Sequence, residues 1–511
     1  MFRRASHAEG IVADQEILFS TSFNYLFPEA ARSRPCLLPP TETTRAGLKA
    51  LGEAMADQGS PGDPMAAQDS QIPAAFTYLG QFIDHDLTAR TDREGPSTAI
   101  GNAEPIVPLD PDLVIQTLRN GRRSQFDLDS VFGDGPGLAG SVAAHKSTSE
   151  SQDLYTPDLK LRVFESGSRV DLPGRTPTTD LSGKTTFAAV VADMRNDENV
   201  NISQLHTAFL KFYNAVHTAQ PGSDMQKYTR ARQLVRWAYQ YIVIHDYLMT
   251  VCDQSVVADT LANGPRFYGD MAGRAGAFMP LEFSVAGFRF AHSMIRPFYT
   301  LNDASGEVGL LGILGTNGNA ANFDPGDDQL AAGRVIQWKH YVGPSAQKAR
   351  KIDTKIAHDL FTLPFRPADD PVLASLTKSN LFRAFSLSVP TGQAICDGFG
   401  VDWLSPTDIL TGEDPSIAAA VQAAYFHHRT PLWYYVLREA AVQQGGERLG
   451  EVGSRLVAET IIGSIKQDPN SYWNNKTDPA VKTSGIDVKP GAGGVIRNLI
   501  DLLKFAGFTG I

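Results

Sequence analysis

The sequence predicts a mainly α-helical fold with long loops and few strands. Large apolar residues recur at intervals of three and four in residues 76–87, 205–216 and 237–248, which is the period of a helix that buries one face. Sustained alternation of apolar and polar residues, the pattern of a half-buried strand, is scarce. The chain has 511 residues, of which 42% are hydrophobic and 20% charged, so it can bury a large core. We therefore predict one large helical domain over residues 71–511.

Residues 1–70 differ from the rest of the chain in composition. Short apolar pieces such as FNYLFP (23–28) alternate with stretches rich in proline, glycine and polar residues. Apolar pieces of this kind would pack against a folded body, whereas a purely polar tail would stay disordered. We predict an N-terminal arm that wraps around the helical domain.

Charge and composition exclude several classes of protein. A formal net charge of −10 and a pI near 5.6 would repel a phosphate backbone, so nucleic acid is not an expected partner. No apolar run is long enough for a membrane span, and the N-terminus lacks the apolar segment of a secretory signal. The three scattered cysteines fit a reducing compartment. We expect a cytoplasmic protein, or one exported without a recognisable signal peptide.

The stretch QIPAAFTYLGQFIDHDLTARTD (71–92) carries the most chemistry. A helix here would bunch Gln81, Asp84 and His85 beside its apolar stripe, with Asp86 following directly. An imidazole buried among carboxylates and an amide is costly unless each group has a partner, which indicates a ligand or a metal. The alternative is a core histidine with satisfied hydrogen bonds beside two solvated aspartates.

Four segments together resemble one family. GQFIDHDLT (80–88) is similar to the distal-histidine motif of the animal-type heme peroxidases, the peroxidase-cyclooxygenase superfamily. RNDEN (195–199) resembles the distal-arginine motif, FRFAHSMIRP (288–297) the proximal-histidine segment and LTKSNLFRAF (376–385) the proximal-asparagine segment. The resemblance covers most of residues 75–470 and identifies the chain as a bacterial member of that superfamily.

The resemblance implies heme b, buried between helices that carry His85 and His292. His292 would ligate the iron, because a neutral imidazole can bind a metal through one nitrogen while its other N–H donates to an acceptor, here Asn380. Further cofactor-binding residues implied by the family are Asp84 and Glu198, as ester links to heme, Arg289, at a propionate, and Arg383.

The same resemblance assigns catalytic roles. His85 would move a proton between the two oxygens of hydrogen peroxide as general base and then acid. Arg195 would stabilise the negative charge on the departing oxygen. Gln81 would hold a water or small anion near the iron. For the pair Arg195 and Glu198, the alternative without the resemblance is a surface ion pair.

A second segment, NGRRSQFDLDSVFGDGPG (120–137), predicts a calcium site. Asp127 and Asp129 alternate with apolar residues and can face one way in an extended loop, and calcium takes six to eight oxygen ligands. The alternative is a pair of solvated turn residues. In the family this loop closes a calcium site with Asp86, which implies that the carbonyl groups of Arg123 and Gln125 also contribute. The family usually has a hydroxyl residue where Arg123 stands.

The resulting function is a heme peroxidase that reduces hydrogen peroxide and oxidises a small aromatic donor or a halide. Two alternatives are a fatty-acid dioxygenase on the same scaffold and a catalytically silent, adhesive relative. The dioxygenases of the superfamily carry a tyrosine three residues before the proximal histidine, where this chain has Arg289. Retention of His85, Arg195 and His292 counts against a silent relative. A non-heme metal site at Asp84 to Asp86 lacks a second ligand cluster to complete it.

Overall fold

A computed structural model describes residues 21–57, 68–89, 106–133, 135–136, 154–179, 183, 185–315, 318–363, 372, 374–489, 491 and 493–511. Helices dominate these residues, which confirms the predicted fold class. The α-helices are Pro28–Arg32, Glu42–Ala54, Ala75–Leu87, Pro111–Thr117, Asp129–Phe132, Val200–Ala219, Asp224–Ile242, Met249–Val251, Gln254–Asn263, Arg266–Ala275, Leu281–Val285, Leu310–Ile313, Leu376–Ser386, Gly392–Phe399, Pro406–Leu410, Pro415–Ala423, Leu432–Gln444, Glu451–Gln467 and Leu499–Phe505. None of the described helices is both long and apolar enough to cross a membrane.

Short turns of 3-10 and π-helix join these α-helices. The 3-10 turns are Arg34–Cys36, Met194–Asp197, Gly287–His292, Ala320–Asn322, Ala332–Arg334, Trp338–His340, His358–Phe361 and Tyr472–Asn474. Two of them carry sequence-predicted site residues: Met194–Asp197, called here the Arg195 turn, and Gly287–His292, called the His292 turn. We likewise call Ala75–Leu87 the His85 helix and Leu376–Ser386 the Asn380 helix.

The strands are short, and three of the strand pairs join distant parts of the chain. Ser22–Asn24 runs parallel to Phe278–Pro280, Ala56–Asp57 parallel to Ile356–Ala357, and Asp69–Pro73 antiparallel to Lys348–Arg350. Local hairpins are Phe298–Thr300 with Glu307–Gly309, Phe164–Ser166 with Arg169–Asp171, and Thr176–Thr179 with Thr185–Ala188. Val481–Lys482, Gly485–Asp487 and Val495–Ile496 form one three-stranded sheet.

Residues 21–57 of the predicted N-terminal arm lie on the helical body. The buried carboxylate of Glu282 accepts hydrogen bonds from the backbone N–H groups of Leu26 (2.8 Å) and Phe27 (3.0 Å). The Tyr25 hydroxyl donates to the carbonyl of Leu387 at 2.6 Å. These buried contacts tie the segment to residues more than 250 positions away. Residues 1–20 and 58–67 of the predicted arm lie outside the described residues.

The His85 helix packs against the two longest helices of the core. Phe82 stacks on Phe209 of Val200–Ala219 with ring centroids 4.5 Å apart, and Tyr239 of Asp224–Ile242 meets both rings edge-on. The segment predicted to be helical around 237–248 passes into a π-helical turn at Val243–Leu248. Tyr247 of that turn touches Gly80, where an added Cβ would lie 2.5 Å from the tyrosine hydroxyl oxygen. Glycine at position 80 therefore permits the close approach of the π turn to the His85 helix.

Arg175, between the two hairpins of residues 164–188, anchors the Arg195 turn. The sequence assigned this polar segment no role. The guanidinium is buried and pairs with Asp171 (2.7 Å) on one side and Asp197 (2.8 Å) on the other. Burial raises the pKa of Asp197, and the Arg175 charge opposes that rise. Two distant segments are thus joined through one charge.

Removing this charge tests the anchoring. Arg175→Met should lower the free energy of unfolding by about 3–5 kcal/mol, because it leaves two buried carboxylates without their partner. The matched control is Arg169→Met, whose ion pair with Asp327 is partly exposed and should be worth less than about 1 kcal/mol. The measurement is the shift in the urea unfolding midpoint, and equal shifts for both variants would contradict the anchoring role.

Candidate functional site

A cavity lies between the His85 helix, the His292 turn and the Asn380 helix. Its walls also include the residues that follow the Arg195 turn and a group of leucines. The sequence-predicted site residues that line it are Gln81, Asp84, Glu198, Arg289, His292, Asn380 and Arg383. Four separate stretches of the chain are therefore brought to one cavity.

One wall holds His292 beside Asn380. The amide nitrogen of Asn380 lies 2.7 Å from His292 Nδ1. The oxygen and nitrogen of a side-chain amide exchange places by a half turn, so the same contact can present either an acceptor or a donor to the ring. Trp433 meets the His292 ring edge-on at 6.4 Å and donates its indole N–H to the carbonyl of Arg289 at 3.0 Å. These contacts fix the position of the His292 turn in the wall.

The wall formed by the His85 helix and Glu198 contains two carboxylates, Asp84 and Glu198, and both have hydrogen-bond partners. The Asp84 carboxylate pairs with Arg289 at 3.0 Å and accepts from the Thr88 hydroxyl at 2.9 Å. The Gln81 amide N–H donates to Glu198, and the Gln81 oxygen accepts from Asn199 at 3.2 Å. Carboxylate and amide groups therefore face the cavity from this side.

His85 is completely buried and reaches the cavity wall through Glu198. Its Nε2 atom lies 3.7 Å from the Glu198 carboxylate, and its Nδ1 atom lies 2.8 Å from the side-chain oxygen of Asn196. Asn196 was not among the sequence-predicted residues. Its position next to Arg195 in RNDEN was the available signal. Neighbouring side chains of a 3-10 turn point in different directions, so Asn196 can contact His85 while Arg195 contacts other groups.

Like His85, Arg195 is not among the residues that line the cavity. Its guanidinium pairs with Asp193 at 2.7 Å and donates to the carbonyl groups of His85 (2.9 Å) and Thr88 (2.7 Å). Burial alone would raise the pKa of Asp193, but Arg122 and Arg195 hold it well below its ordinary value. Arg195 thus binds the C-terminal end of the His85 helix, where carbonyl groups lack helical partners.

The predicted calcium loop brings Asp127 and Asp129 to Asp86. One oxygen from each carboxylate lies within 4.8 Å of the other two. Phe126 and Leu128 have φ of 51° and 56°, a left-handed conformation that costs non-glycine residues about 1–2 kcal/mol each. Strain at two alternate residues is consistent with a loop shaped to aim the intervening carboxylates at one point.

The oxygen atoms of this cluster fit a hard cation. Neither carboxylate oxygen of Asp86 accepts a well-formed hydrogen bond from the described residues, and the buried hydroxyl groups of Ser124 and Ser130 also lack partners there. Burial raises the pKa of Asp86 well above its ordinary value and that of Asp129 to about 6. Buried carboxylates of this kind need a nearby positive charge.

Two arginines already supply part of that charge. Arg123 pairs with Asp127 at 3.1 Å, and Arg122 pairs with Asp129 at 3.3 Å and with Asp193. The Gln125 carbonyl, expected as a calcium ligand, accepts weak hydrogen bonds from Arg236 and Gln240, both at 3.3 Å. The three aspartates thus lie together with the Arg123 side chain paired to one of them, and the carbonyl groups of Arg123 and Gln125 stay predicted ligands.

The comparisons with known proteins agree with this geometry. The model of the animal haem peroxidase family matches residues 122–458. This chain belongs to that family. It is 24% identical to human thyroid peroxidase over 279 residues, which are 52% of this chain and 28% of the relative, and 26% identical to mouse myeloperoxidase over 287 residues, 48% of this chain and 39% of the relative. The matched region thus spans well under half of these relatives.

Solved structures show the same fold over the whole chain. Peroxidase A from Dictyostelium discoideum matches with a TM-score of 0.63 and 16% identity, covering 100% of this chain and 99% of its own. The fatty acid alpha-dioxygenase of Oryza sativa matches with a TM-score of 0.60 and 15% identity, covering 98% and 87%. The predicted family and the helical fold are confirmed, and the fold is shared by proteins with different reactions.

Proposed function

We propose that this protein is a heme peroxidase that reduces hydrogen peroxide and oxidises small organic donors or halides. The observation that carries the proposal is the contact of His292 with Asn380 on one wall of a cavity whose other wall holds Glu198 against His85. Family membership supports the same reaction class. The catalytic residues of the proposal are His85, Arg195 and Gln81, and the Gln81 amide would orient a water or small anion.

The cavity residues fit a heme group. His292 would ligate the iron through Nε2, and Asn380, with its amide oxygen turned to the ring, would accept the Nδ1 proton. Arg289 and Arg383 offer guanidinium groups to the propionates, and Asp84 and Glu198 are the carboxylates available for ester links. Bound heme supplies the electron-transfer chemistry of the reaction.

The protein residues would handle the proton. With Nδ1 of His85 held by Asn196, the lone pair of Nε2 points to the Glu198 side and can take a proton from the inner peroxide oxygen, then return it to the outer one. Arg195 would act on this step through position, because its guanidinium fixes the His85 and Thr88 carbonyl groups. The direct charge stabilisation that the family resemblance implies for Arg195 stays a prediction beside this positional role.

Histidine substitutions test the heme assignment. His292→Ala should abolish stable heme binding, whereas His85→Ala should keep heme and lose about 10²- to 10⁴-fold in its rate with peroxide. His245→Ala is the control, because neither His245 nor its partner Tyr472 lines the cavity. The His245 ring lies 3.1 Å from the Tyr472 hydroxyl. Absorption spectra during heme titration and stopped-flow mixing with peroxide give the two readouts. Full heme occupancy in a catalytically normal His292→Ala protein would refute the assignment.

We also propose calcium at Asp86, Asp127 and Asp129. The ion would join the loop to the His85 helix, since Asp86 follows His85 directly. Its presence would add positive charge to a cluster in which Asp86 has no ion pair among the described contacts.

Chelation tests the calcium proposal. Calcium at 100 times its dissociation constant should stabilise the fold by about 2.7 kcal/mol, so a chelator should lower the melting temperature and the peroxide rate together. Asp127→Asn should remove this response. Asp327→Asn, at a carboxylate paired with Arg169, should keep it. Absence of calcium in elemental analysis, with no effect of chelator, would mean that Arg122 and Arg123 neutralise the cluster by themselves.

A fatty-acid dioxygenase is the second candidate function. One observation favours it: Tyr78 lines the cavity, and its ring meets Tyr299 edge-on at 5.6 Å. Against it, the position three residues before His292 is Arg289, whose charge is paired with Asp84. A guanidinium cannot form the radical that a tyrosine forms, and it suits a carboxylate better than an acyl chain.

An oxygen electrode separates the two reactions. The peroxidase proposal predicts peroxide-dependent oxidation of phenols and anilines, with no oxygen consumption on saturated or unsaturated fatty acids. Sustained consumption with a fatty acid that Tyr78→Phe abolishes, and that Tyr472→Phe leaves intact, would establish the dioxygenase in its place.

A further inference from the structure

The side-chain oxygen of Asn196 lies within hydrogen-bond distance of the Nδ1 atom of His85. The asparagine is completely buried and lies between Arg195 and Asp197 in the Arg195 turn. Its side-chain oxygen is 2.8 Å from His85 Nδ1, and its side-chain nitrogen faces the carbonyl of Ser130 at 3.5 Å. Because a carbonyl can only accept, the Ser130 contact orients the amide with its oxygen toward the imidazole.

An amide oxygen can accept a proton in a hydrogen bond and cannot donate one. A neutral imidazole carries a single proton, on either Nδ1 or Nε2. Asn196 favours the proton on Nδ1, whereas the Glu198 carboxylate near Nε2 favours the opposite tautomer. The Asn196 contact at 2.8 Å has hydrogen-bond length, and the Glu198 separation of 3.7 Å does not. The two acceptors therefore favour different tautomers, and the shorter contact, with Asn196, favours the proton on Nδ1.

The Arg195 turn holds Asn196 in place from both sides. On one side, Arg195 is bound to Asp193 and to the His85 and Thr88 carbonyl groups. On the other, Asp197 is bound to the buried Arg175. A side chain between two anchored neighbours has little freedom to leave the imidazole.

We propose that Asn196 is a positioning residue that fixes His85 in the tautomer with the proton on Nδ1. This inference rests on the proposed function for its consequence, which is that the Nε2 lone pair is ready to accept the peroxide proton. In the opposite tautomer the Nε2 proton would block that step. A wrong histidine tautomer costs about 10⁴-fold in rate in serine proteases, where it was created by a single change at the orienting residue.

The tautomer can be measured in the protein without heme. Nitrogen NMR on protein labelled with ¹⁵N-histidine distinguishes a protonated from an unprotonated ring nitrogen, and the signals of His85, one of 11 histidines, are assigned by their loss in His85→Ala. Asn196→Leu has similar size and no acceptor, and should shift His85 toward the tautomer with the proton on Nε2. Asn196→Asp keeps an acceptor and should retain a protonated Nδ1.

A matched control separates this effect from general damage to the core. Asn322 is also completely buried, and its side-chain amide has no hydrogen-bond partner among the described residues. Asn322→Leu should therefore leave the His85 tautomer unchanged. If Asn196→Leu does not fold, the smaller Asn196→Ala removes the same acceptor.

The outcomes distinguish this inference from the proposed function. After heme loading, Asn196→Leu should react with peroxide about 10²- to 10⁴-fold more slowly than the wild type, with unchanged heme content. Wild-type protein with a protonated Nδ1 and no reaction with peroxide would refute the proposed function and leave the positioning role standing. An Asn196→Leu protein in which His85 still carries its proton on Nδ1 would overturn the positioning role.

Discussion

The contact of the Arg195 guanidinium with the end of the His85 helix is the interaction on which the site depends. A helix ends with carbonyl groups that have no helical partner, and here a buried guanidinium satisfies those of His85 and Thr88 while Asp193 balances its charge. Buried charges are expensive to remove from water, so such a group is tolerated only when its hydrogen bonds are nearly complete. Because the contacts have fixed lengths and directions, they set the position of the Arg195 turn relative to the helix. Asn196 lies in that turn and Glu198 follows it directly, so the turn sets the positions of both residues.

Three consecutive residues of the His85 helix contact three different parts of the protein. Successive side chains of an α-helix point about 100° apart, which follows from 3.6 residues per turn. Asp84 accordingly reaches Arg289 at the cavity, His85 reaches Asn196, and Asp86 reaches the acidic cluster with Asp127 and Asp129. The imidazole is therefore mechanically coupled to the acidic cluster through adjacent backbone. A change in the net charge of that cluster would shift Asp86, and because Asp86 follows His85 directly in the helix, it would shift the imidazole as well.

The sequence predicted the parts of this structure that local patterns determine. Apolar periodicity located the His85 helix and the two core helices against which it packs, and motif resemblance located seven of the residues that line the cavity. It did not predict where Arg195 points, because a long side chain selects among carbonyl and carboxylate partners that only the folded backbone brings near. It missed Arg175 as well, since Asp171 and Asp197 belong to separate segments and the hairpins carry weak periodicity. Asn196 was missed because its contact with His85 joins residues 111 positions apart in the chain.

The fold leaves the choice of reaction to the cavity walls, because a peroxidase and a fatty acid dioxygenase share it at similar TM-scores. Under the proposed function Arg289 bears on that choice, and its guanidinium is held by contacts in the cavity wall. Its guanidinium is the cation paired with Asp84, a carboxylate that is almost fully buried. A phenol at position 289 could donate one hydrogen bond to Asp84 but would bring no charge, so the ionised carboxylate would lose this ion pair. A change from Arg289 to tyrosine would therefore favour a neutral Asp84, either the protonated acid or the ester to heme proposed above, which couples the identity of the residue three positions before His292 to the carboxylate on the His85 helix.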